Sequence, residues 1–453
     1  MQRRMMHDAT RATKPELTGP PGARGHACGA CSISLSFCGG MPISWRYTLS
    51  ALLLSSLAAP SHAQQTPPDS VSQPAAASAD SLPPQRDLSD VLAALLGRHV
   101  AEPEQELQLT PGLSIVALPS VGYNPSFGTY VGIGVSAGGW LGEPATTKVS
   151  VFALNFSYST SKQLNLQFKS DAWVPGNTWN LKGDWRYLDL SQPTHGLGPI
   201  GDQVGEYPMG FVMWRLYETA YLRMSGDVYA GLGYHLNLHQ KINDERATAG
   251  EVTPYSEYSG GTPEHTTASG VSANVLIDSR DSPIYGTRGL FWNANFRIYS
   301  TALGSDQNWQ ELTSDFRAYP HLPARSRNVL AIWSTVWTTF GPAPYLDLPA
   351  IGWDTYSKSG RGYVQGRLRA QNQIYNEAEY RAVLTRDGLL GAVAFVNLTV
   401  STRSTGSFGR ADPGAGIGLR LQFVKRTHTN LTLDYGWGNA ASKGLYLGTQ
   451  EMF

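Results

Sequence analysis

Cysteine is nearly absent. The 453-residue chain has 3, at Cys28, Cys31 and Cys38, all upstream of the segment read below as an export signal. Cys28-x-x-Cys31 has the spacing of a redox or metal pair, but no second ligand pair follows at zinc distance, so chance in a discarded segment is the simpler reading. A mature chain without cysteine has no disulfide. Charge is also scarce: 15% of residues against about 25% in soluble domains, a deficit that implies a surface not entirely in water. Long apolar runs are missing too. A helical membrane span needs about 20 apolar residues, and the one comparable run, residues 49–59, is short and close to the start. Lysine plus arginine balance aspartate plus glutamate, 35 against 35, and nothing points to nucleic acid.

Catalytic and metal constellations are missing as well. No serine sits in a nucleophile elbow. Gly132-x-Gly134, Gly231-x-Gly233 and Gly414-x-Gly416-x-Gly418 do not lie between a strand and a helix, so they read as strand glycines rather than dinucleotide loops. His235 and His239 would share one side of a strand, but too far apart to hold one ion readily. No enzyme activity, metal or cofactor is expected.

What the chain has is 48 glycines, 22 tyrosines and 12 tryptophans, dispersed under a mean hydropathy of −0.24. Dispersed apolar residues with abundant aromatics suit a transmembrane β-barrel, in which alternate residues face lipid and lumen. Residues 41–63 form a secretory signal: Arg46, an apolar core, and Ser61-His62-Ala63 as the cleavage site, which implies export in a Gram-negative cell. Residues 1–40 fit no export pattern and read either as an extension upstream of a true start at Met41 or as an unusually long basic leader. Residues 64–110 form a low-complexity periplasmic tether, rich in Pro, Ala, Ser and Gln at first. A short amphipathic helix is expected over residues 87–99, capped near Asp87 and carrying Leu88, Val91, Leu92, Leu95 and Leu96 at helical spacing; it either rests on the barrel mouth or is not stable.

From residue 111 the period becomes two. Phe152, Leu154, Phe156 and Tyr158 share one side of their run, with Val151, Ala153, Asn155 and Ser157 on the other; Leu164, Leu166 and Phe168 alternate with polar residues. Turn signals divide residues 111–453 into sixteen strands. Their expected starts are Leu113, Thr129, Lys148, Gln163, Thr178, Phe211, Asp227, Ala268, Arg288, Asn308, Asn328, Gln373, Gly388, Gly414, Asn430 and Lys443. That gives roughly 21 residues per strand with its connection, which fits strands of about 10 residues plus loops. Short connections (142–147, 175–177, 225–226, 323–327, 385–387, 427–429) alternate with others that include three long ones (191–209, 243–267, 342–372). The fold expected is all-β: a sixteen-stranded antiparallel transmembrane barrel with a short disordered and helical periplasmic segment before it. Short turns on the periplasmic side and an even strand number place both termini in the periplasm.

The longest connection carries Gly360-Arg361-Gly362-Tyr363, then Gly366-Arg367-Leu368-Arg369, and Glu377-Ala-Glu379-Tyr-Arg381 follows it on the twelfth strand. With Asp278-Ser-Arg-Asp281, Pro283 and Gly289, and with Gly416-Ile-Gly-Leu-Arg420, this resembles the bacterial surface antigen superfamily, the BamA/TamA family of outer-membrane barrels. That resemblance covers residues 110–453. It implies an outer-membrane location among lipids, a sixth surface loop folded into the lumen, and possible roles in inserting or translocating outer-membrane protein clients. It also implies that Arg361 meets acidic residues on strands twelve and thirteen. Glu379 matches the first. Where the family has Asp and Gly on strand thirteen, Asn397 and Thr399 stand here, so Arg361 is expected to keep one charged partner and gain a neutral one; otherwise it is an ordinary exposed loop arginine. Phe453, a terminal aromatic expected on the last strand, resembles the signal read by the barrel-insertion machinery. Residues 64–110 are too short for a polypeptide-transport (POTRA) domain, so a barrel-only member is expected. The alternative function is a structural surface barrel or narrow pore that translocates nothing. Asp278, Arg280 and Asp281 also read simply as a charge cluster at a strand end near the periplasmic rim.

Overall fold

The computed structural model describes residues 85–97, 112–124, 127–200, 203, 205–283, 285–324, 326–355, 357–403, 409–424, 429–448, 451 and 453. The upstream extension, the signal and most of the tether lie outside the described residues.

A helix, α1 (Leu88–Leu95), precedes sixteen strands. These are β1 (Gly112–Asn124), β2 (Gly128–Trp140), β3 (Ser150–Ser159), β4 (Leu164–Trp173), β5 (Trp179–Ser191), β6 (Met209–Ser225), β7 (Val228–Asp244) and β8 (Thr266–Asp278). After them come β9 (Leu290–Tyr299), β10 (Trp309–Ala318), β11 (Val329–Phe340), β12 (Asn372–Val383), β13 (Leu390–Thr402), β14 (Ala411–Val424), β15 (Thr429–Gly438) and β16 (Lys443–Gly448). Each pairs antiparallel with the next in one continuous meander. β1 and β16 lie beside each other, yet no ladder joins them among the described residues.

Every strand starts within three residues of its expected position. The largest offset is β14, which starts at Ala411 rather than Gly414 because Pro413, usually a strand boundary, is accommodated opposite Leu398.

Burial alternates in the sense opposite to that of a water-soluble sheet. On β12 the inward residues Gln373, Glu377, Glu379 and Arg381 are buried, while outward Ile374 is exposed. On β14 Asp412 and Arg420 are buried, and Ile417 and Leu419 are outside and 58–59% exposed. Polar groups inside and bare apolar side chains outside are stable where the surroundings are themselves apolar.

The three long connections, 192–208, 245–265 and 341–371, all leave the same end of the meander. The length asymmetry rests on these three, since that end also carries the short connections 160–163 and 439–442, and 279–289 and 319–328 at the other end are of middling length. The long connections close their mouth with a packed core of Phe211, Tyr255, Trp309, Tyr345, Leu348 and Trp353. Tyr258 Oη donates to Ala343 O at 2.9 Å, and Arg369 Nη1 donates to Tyr345 O at 3.0 Å and Leu346 O at 3.1 Å.

At the other end, α1 begins at Asp87, whose side chain and that of Asp90 cap one another's backbone N–H groups. It stops well short of His99, because Gly97 takes a left-handed conformation (φ 66°) that ends the helix. Arg86 N donates to Asp387 O at 3.1 Å, which seats the segment on the β12–β13 turn.

The end of the chain departs from expectation. Among the described residues β16 runs to Gly448, and Phe453 is not part of a strand; its ring lies inside with Tyr319, Val329, Ala331, Trp333 and Tyr375. Charged groups inside the lumen draw Glu451, and Phe453 with it, off the strand line, as detailed below.

Candidate functional site

The connection between β11 and β12 runs inward and crosses the lumen. Its tip turns at Gly360 (φ 83°) and Gly362 (φ 102°). A side chain at Gly362 would come within 2.6 Å of Trp437 O, so both conformation and space demand glycine there. The double turn aims Arg361 at the inner wall, where it is 1% exposed and so not an ordinary loop arginine.

The expected single charged partner becomes three. Arg361 Nη2 is 2.5 Å from Glu379 Oε2 and also donates to Glu377, while Nη1 donates to Asp434 Oδ2 at 2.9 Å. One face of the guanidinium lies 3.5 Å from the centroid of Phe395. Burial works against its charge, but Glu377, Glu379 and Asp434 more than offset this and hold the guanidinium pKa above its ordinary value. Asn397 belongs to the site differently than expected: its Nδ2 donates to the backbone carbonyl of Arg361 at 2.9 Å, while the hydrogen bonds of the guanidinium go to Glu377, Glu379 and Asp434. Thr399 is buried on the same inner face.

Backbone contacts fix the tip as firmly as charge does. Gly362 N donates to Tyr446 Oη at 2.9 Å, and that hydroxyl donates to Tyr363 O at 3.0 Å. Tyr363 Oη donates to Pro413 O and accepts from Asn439 N at 2.9 Å. Two wall glycines leave room for this seat: a Cβ on Gly414 would lie 3.0 Å from Arg361 O, and one on Gly436 would lie 2.8 Å from Gly362 N. Gly414 thus makes room for the loop, a more specific role than close strand approach. The tip is held entirely by β12–β16 in these contacts. The flank is held by the opposite wall, where Arg186 Nη2 donates to Thr355 O at 2.7 Å and Trp353 Nε1 donates to Gln192 Oε1 at 3.1 Å. The loop therefore braces the lumen from β5 to β15.

A second rank of charge backs the first. Arg420 Nη1 is 2.5 Å from Asp434 Oδ1, and Arg420 Nε is 2.7 Å from Glu451 Oε2. Arg381 Nε is 2.7 Å from Glu379 Oε1. Three arginines (361, 381, 420) so face four carboxylates (377, 379, 434, 451), each carboxylate touching at least one arginine. Lone buried charges would be prohibitive; interlinked ones are tolerated. Glu377 was legible, since it shares its strand side with Glu379 two residues on. Arg420 stands at the end of the Gly416-Ile-Gly-Leu-Arg420 motif, though nothing there pairs it with Asp434, and Asp434 and Glu451 carry no local signal.

Two chambers flank this brace. One, of about 440 Å³, is lined by Lys169, Lys182, Asp184, Tyr217, Arg297 and Lys358; the other, of about 450 Å³, by Arg288, Arg327, Arg381, Arg420 and Glu451. The remaining motifs lie apart from the site. Arg280 forks onto Asp278 at 2.9 and 2.8 Å at the end of β8, and Asp281 accepts from Thr287 N at 2.9 Å. His235 Nε2 lies 2.7 Å from Ser272 Oγ, and His239 sits 3.8 Å from Asp347.

No family model matches this chain, and no curated protein does. Among solved structures it is similar to the crystal structure of BamA from Haemophilus ducreyi lacking POTRA domains 1-3, at 15% identity over 75% of this chain and 69% of that one, with a TM-score of 0.47. It is also similar to CdiB from Acinetobacter baumannii (14%, 75% of this chain, 0.44) and CdiB from Escherichia coli (11%, 77% of this chain, 0.45). The chain spans 60% and 62% of the length of those two.

Proposed function

We propose that this chain is an outer-membrane barrel of the BamA/TamA type that assists protein insertion or translocation at the seam between β1 and β16. The observation that carries the reading is the loop tip: an Arg-Gly-Tyr segment on the β11–β12 connection, folded inward and fastened through Arg361 to Glu377, Glu379 and Asp434. A loop braced in this way keeps β12–β16 rigid up to the seam, beyond which β1 exposes an edge with no ladder to β16 among the described residues. The outward apolar side chains support a place among outer-membrane lipids. An even strand count and α1 at the mouth opposite the long loops support periplasmic termini. Its partners on this reading are lipids, the barrel-insertion machinery that assembles it, and outer-membrane protein clients; its action needs no catalytic step or cofactor.

The test is a cysteine in β1 and another in β16, in a chain whose Cys28, Cys31 and Cys38 are replaced by serine, reconstituted in liposomes with an unfolded outer-membrane protein. Assembly of that protein should stop when the seam is oxidised and resume on reduction. Equal assembly in both states would sink the reading.

A second reading, a barrel that translocates nothing, is favoured by the packed mouth around Tyr255, Tyr345 and Trp353. Planar-bilayer conductance before and after deletion of residues 342–372 separates its forms. Current only after deletion identifies a plugged lumen, and no current in either case excludes a pore.

A further inference from the structure

The outer wall carries one group that an apolar band does not accommodate cheaply. Along β6 the even-numbered side chains face out: Trp214 and Leu222 are 50% and 43% exposed, whereas Phe211, Met213 and Tyr221 are buried inside. Glu218 is exposed in the same outward row, midway along the strand, with Trp214 and Leu216 toward one end and Ala220 and Leu222 toward the other. Two further charged side chains face outward among the described residues, Asp189 near the end of β5 and Lys443 at the start of β16. Glu218 alone of these stands in the middle of a lipid-facing band about 25 Å tall, where an ionisable group is costly until it is paired.

The chain satisfies it by half. Trp185 Nε1 donates to Glu218 Oε1 at 2.6 Å, and no hydrogen bond reaches Oε2 among the described residues. Tyr234, opposite Glu218 on β7, turns its hydroxyl to Ser269 Oγ at 3.1 Å instead. On the other side Gly183 of β5 lies opposite both Glu218 and Ser170 of β4. A Cβ on Gly183 would stand 2.9 Å from Glu218 Oε1 and 2.7 Å from Ser170 Oγ, so the missing side chain leaves a notch between the two oxygens. Phe168 and Trp185, with ring centroids 5.5 Å apart, stand beside it on the same outward face.

What completes this notch is a hydrogen-bond donor that hydrocarbon does not supply. Acyl chains have none, and lipid headgroups stay at the interfaces. A second copy of the chain brings no cation at that depth among its described residues, since Lys443 lies at a strand end. A transmembrane helix can bring one. While the helix is alone, a central lysine or arginine snorkels to the interface; when it docks, the same side chain meets the carboxylate.

We infer that the outer wall over β4–β7 is a docking face for a membrane-spanning helix of another protein, set in register by a basic side chain that enters the Gly183 notch and meets Glu218 and Ser170. The inference rests on the barrel's place in a membrane and not on what its seam does.

The test uses the full chain with Cys28, Cys31 and Cys38 changed to serine and Ser225→Cys carrying a donor fluorophore, reconstituted in phosphatidylcholine vesicles. The probes are acceptor-labelled Leu/Ala helices of about 22 residues, one with a single central lysine, one with leucine in its place, and one with the lysine moved to the last turn. Energy transfer to the central-lysine helix should half-saturate at a peptide-to-lipid ratio about fivefold or more below that of the other two, the gain expected of a polar contact between membrane helices. The advantage should vanish in Glu218→Gln, which keeps an acceptor for Trp185 but loses the charge. Equal binding of the three helices by the unaltered barrel overturns the inference, and so does an advantage that survives Glu218→Gln. Transfer between donor- and acceptor-labelled barrels without peptide, abolished by Glu218→Gln, would assign the face to a second copy and overturn the choice of partner. If Glu218→Gln does not fold, the comparison of central with displaced lysine on the unaltered barrel decides.

Discussion

The loop of residues 341–371 is held at its tip and at its base by different physics. At the tip, one guanidinium is enclosed by three carboxylates and an aromatic face, with glycines on the facing wall clearing space. At the base, Tyr345, Leu348 and Trp353 bury themselves among Phe211, Tyr255 and Trp309. The tip depends on charges whose partners cannot be replaced by water; the base depends on area and shape. Removing one tip partner leaves a charge stranded, whereas removing one base residue leaves a cavity. The first error is the costlier and the less forgiving of conservative change.

The largest expected effect follows from Arg361→Ala, which leaves Glu377 buried beside Glu379 without their shared cation. Breaking such a pair costs about 3–5 kcal/mol, read as a lowered urea midpoint of the folded barrel. Arg361→Lys should recover less than half, because an ammonium cannot meet three carboxylates and lie flat on Phe395. Tyr345→Ala comes next, at about 3 kcal/mol or more for a buried aromatic, with increased hydrogen exchange across 343–350. If tip and base are independent, that variant and Arg361→Ala add within about 0.5 kcal/mol; a larger deviation joins them into one cooperative unit. A cavity of another kind is expected from Trp353→Leu, which keeps an apolar group but loses the bond to Gln192. Its destabilisation should stay below that of Tyr345→Ala.

The smallest effect is a titration. Asp347, in the base, has its Oδ1 against Asn237 Nδ2 at 2.6 Å, and burial pushes its carboxyl up to about 7 despite Arg215 and Asn237. A carboxyl raised when folded binds its proton more tightly in the closed base than in the open one. Its contribution is complete at low pH and is lost as pH rises through about 7. The rate of hydrogen exchange across 343–350, divided by the intrinsic base-catalysed rate at each pH, should therefore rise between about pH 4 and 7 and stay flat in Asp347→Asn. An equal rise in both proteins would place the sensitivity elsewhere.

Much of this was legible in the sequence because alternation is a local property. Phe152, Leu154 and Phe156 name their face without knowledge of any partner, so strand positions emerged within a few residues. The glycines around Arg361 signalled a bent tip for a similar reason. What alternation cannot supply is the angle around the lumen: it puts Asp434 inside but not opposite Arg361, which depends on the register of the three ladders from β12 to β15. Phe453 was misplaced for a related reason. Continuing the pattern from Leu445 and Leu447 turns it outward, and only the buried charges of Arg381 and Arg420, far away in sequence, draw it in.

The central claim is that the loop tip stays fastened inside the lumen by Arg361. Hydrogen exchange of residues 359–363 in protein embedded in lipid vesicles tests it most directly. The account expects protection comparable to that of β12, abolished in Arg361→Ala while β12 itself stays protected. Exchange at the rate of an open loop in the unaltered protein would contradict it.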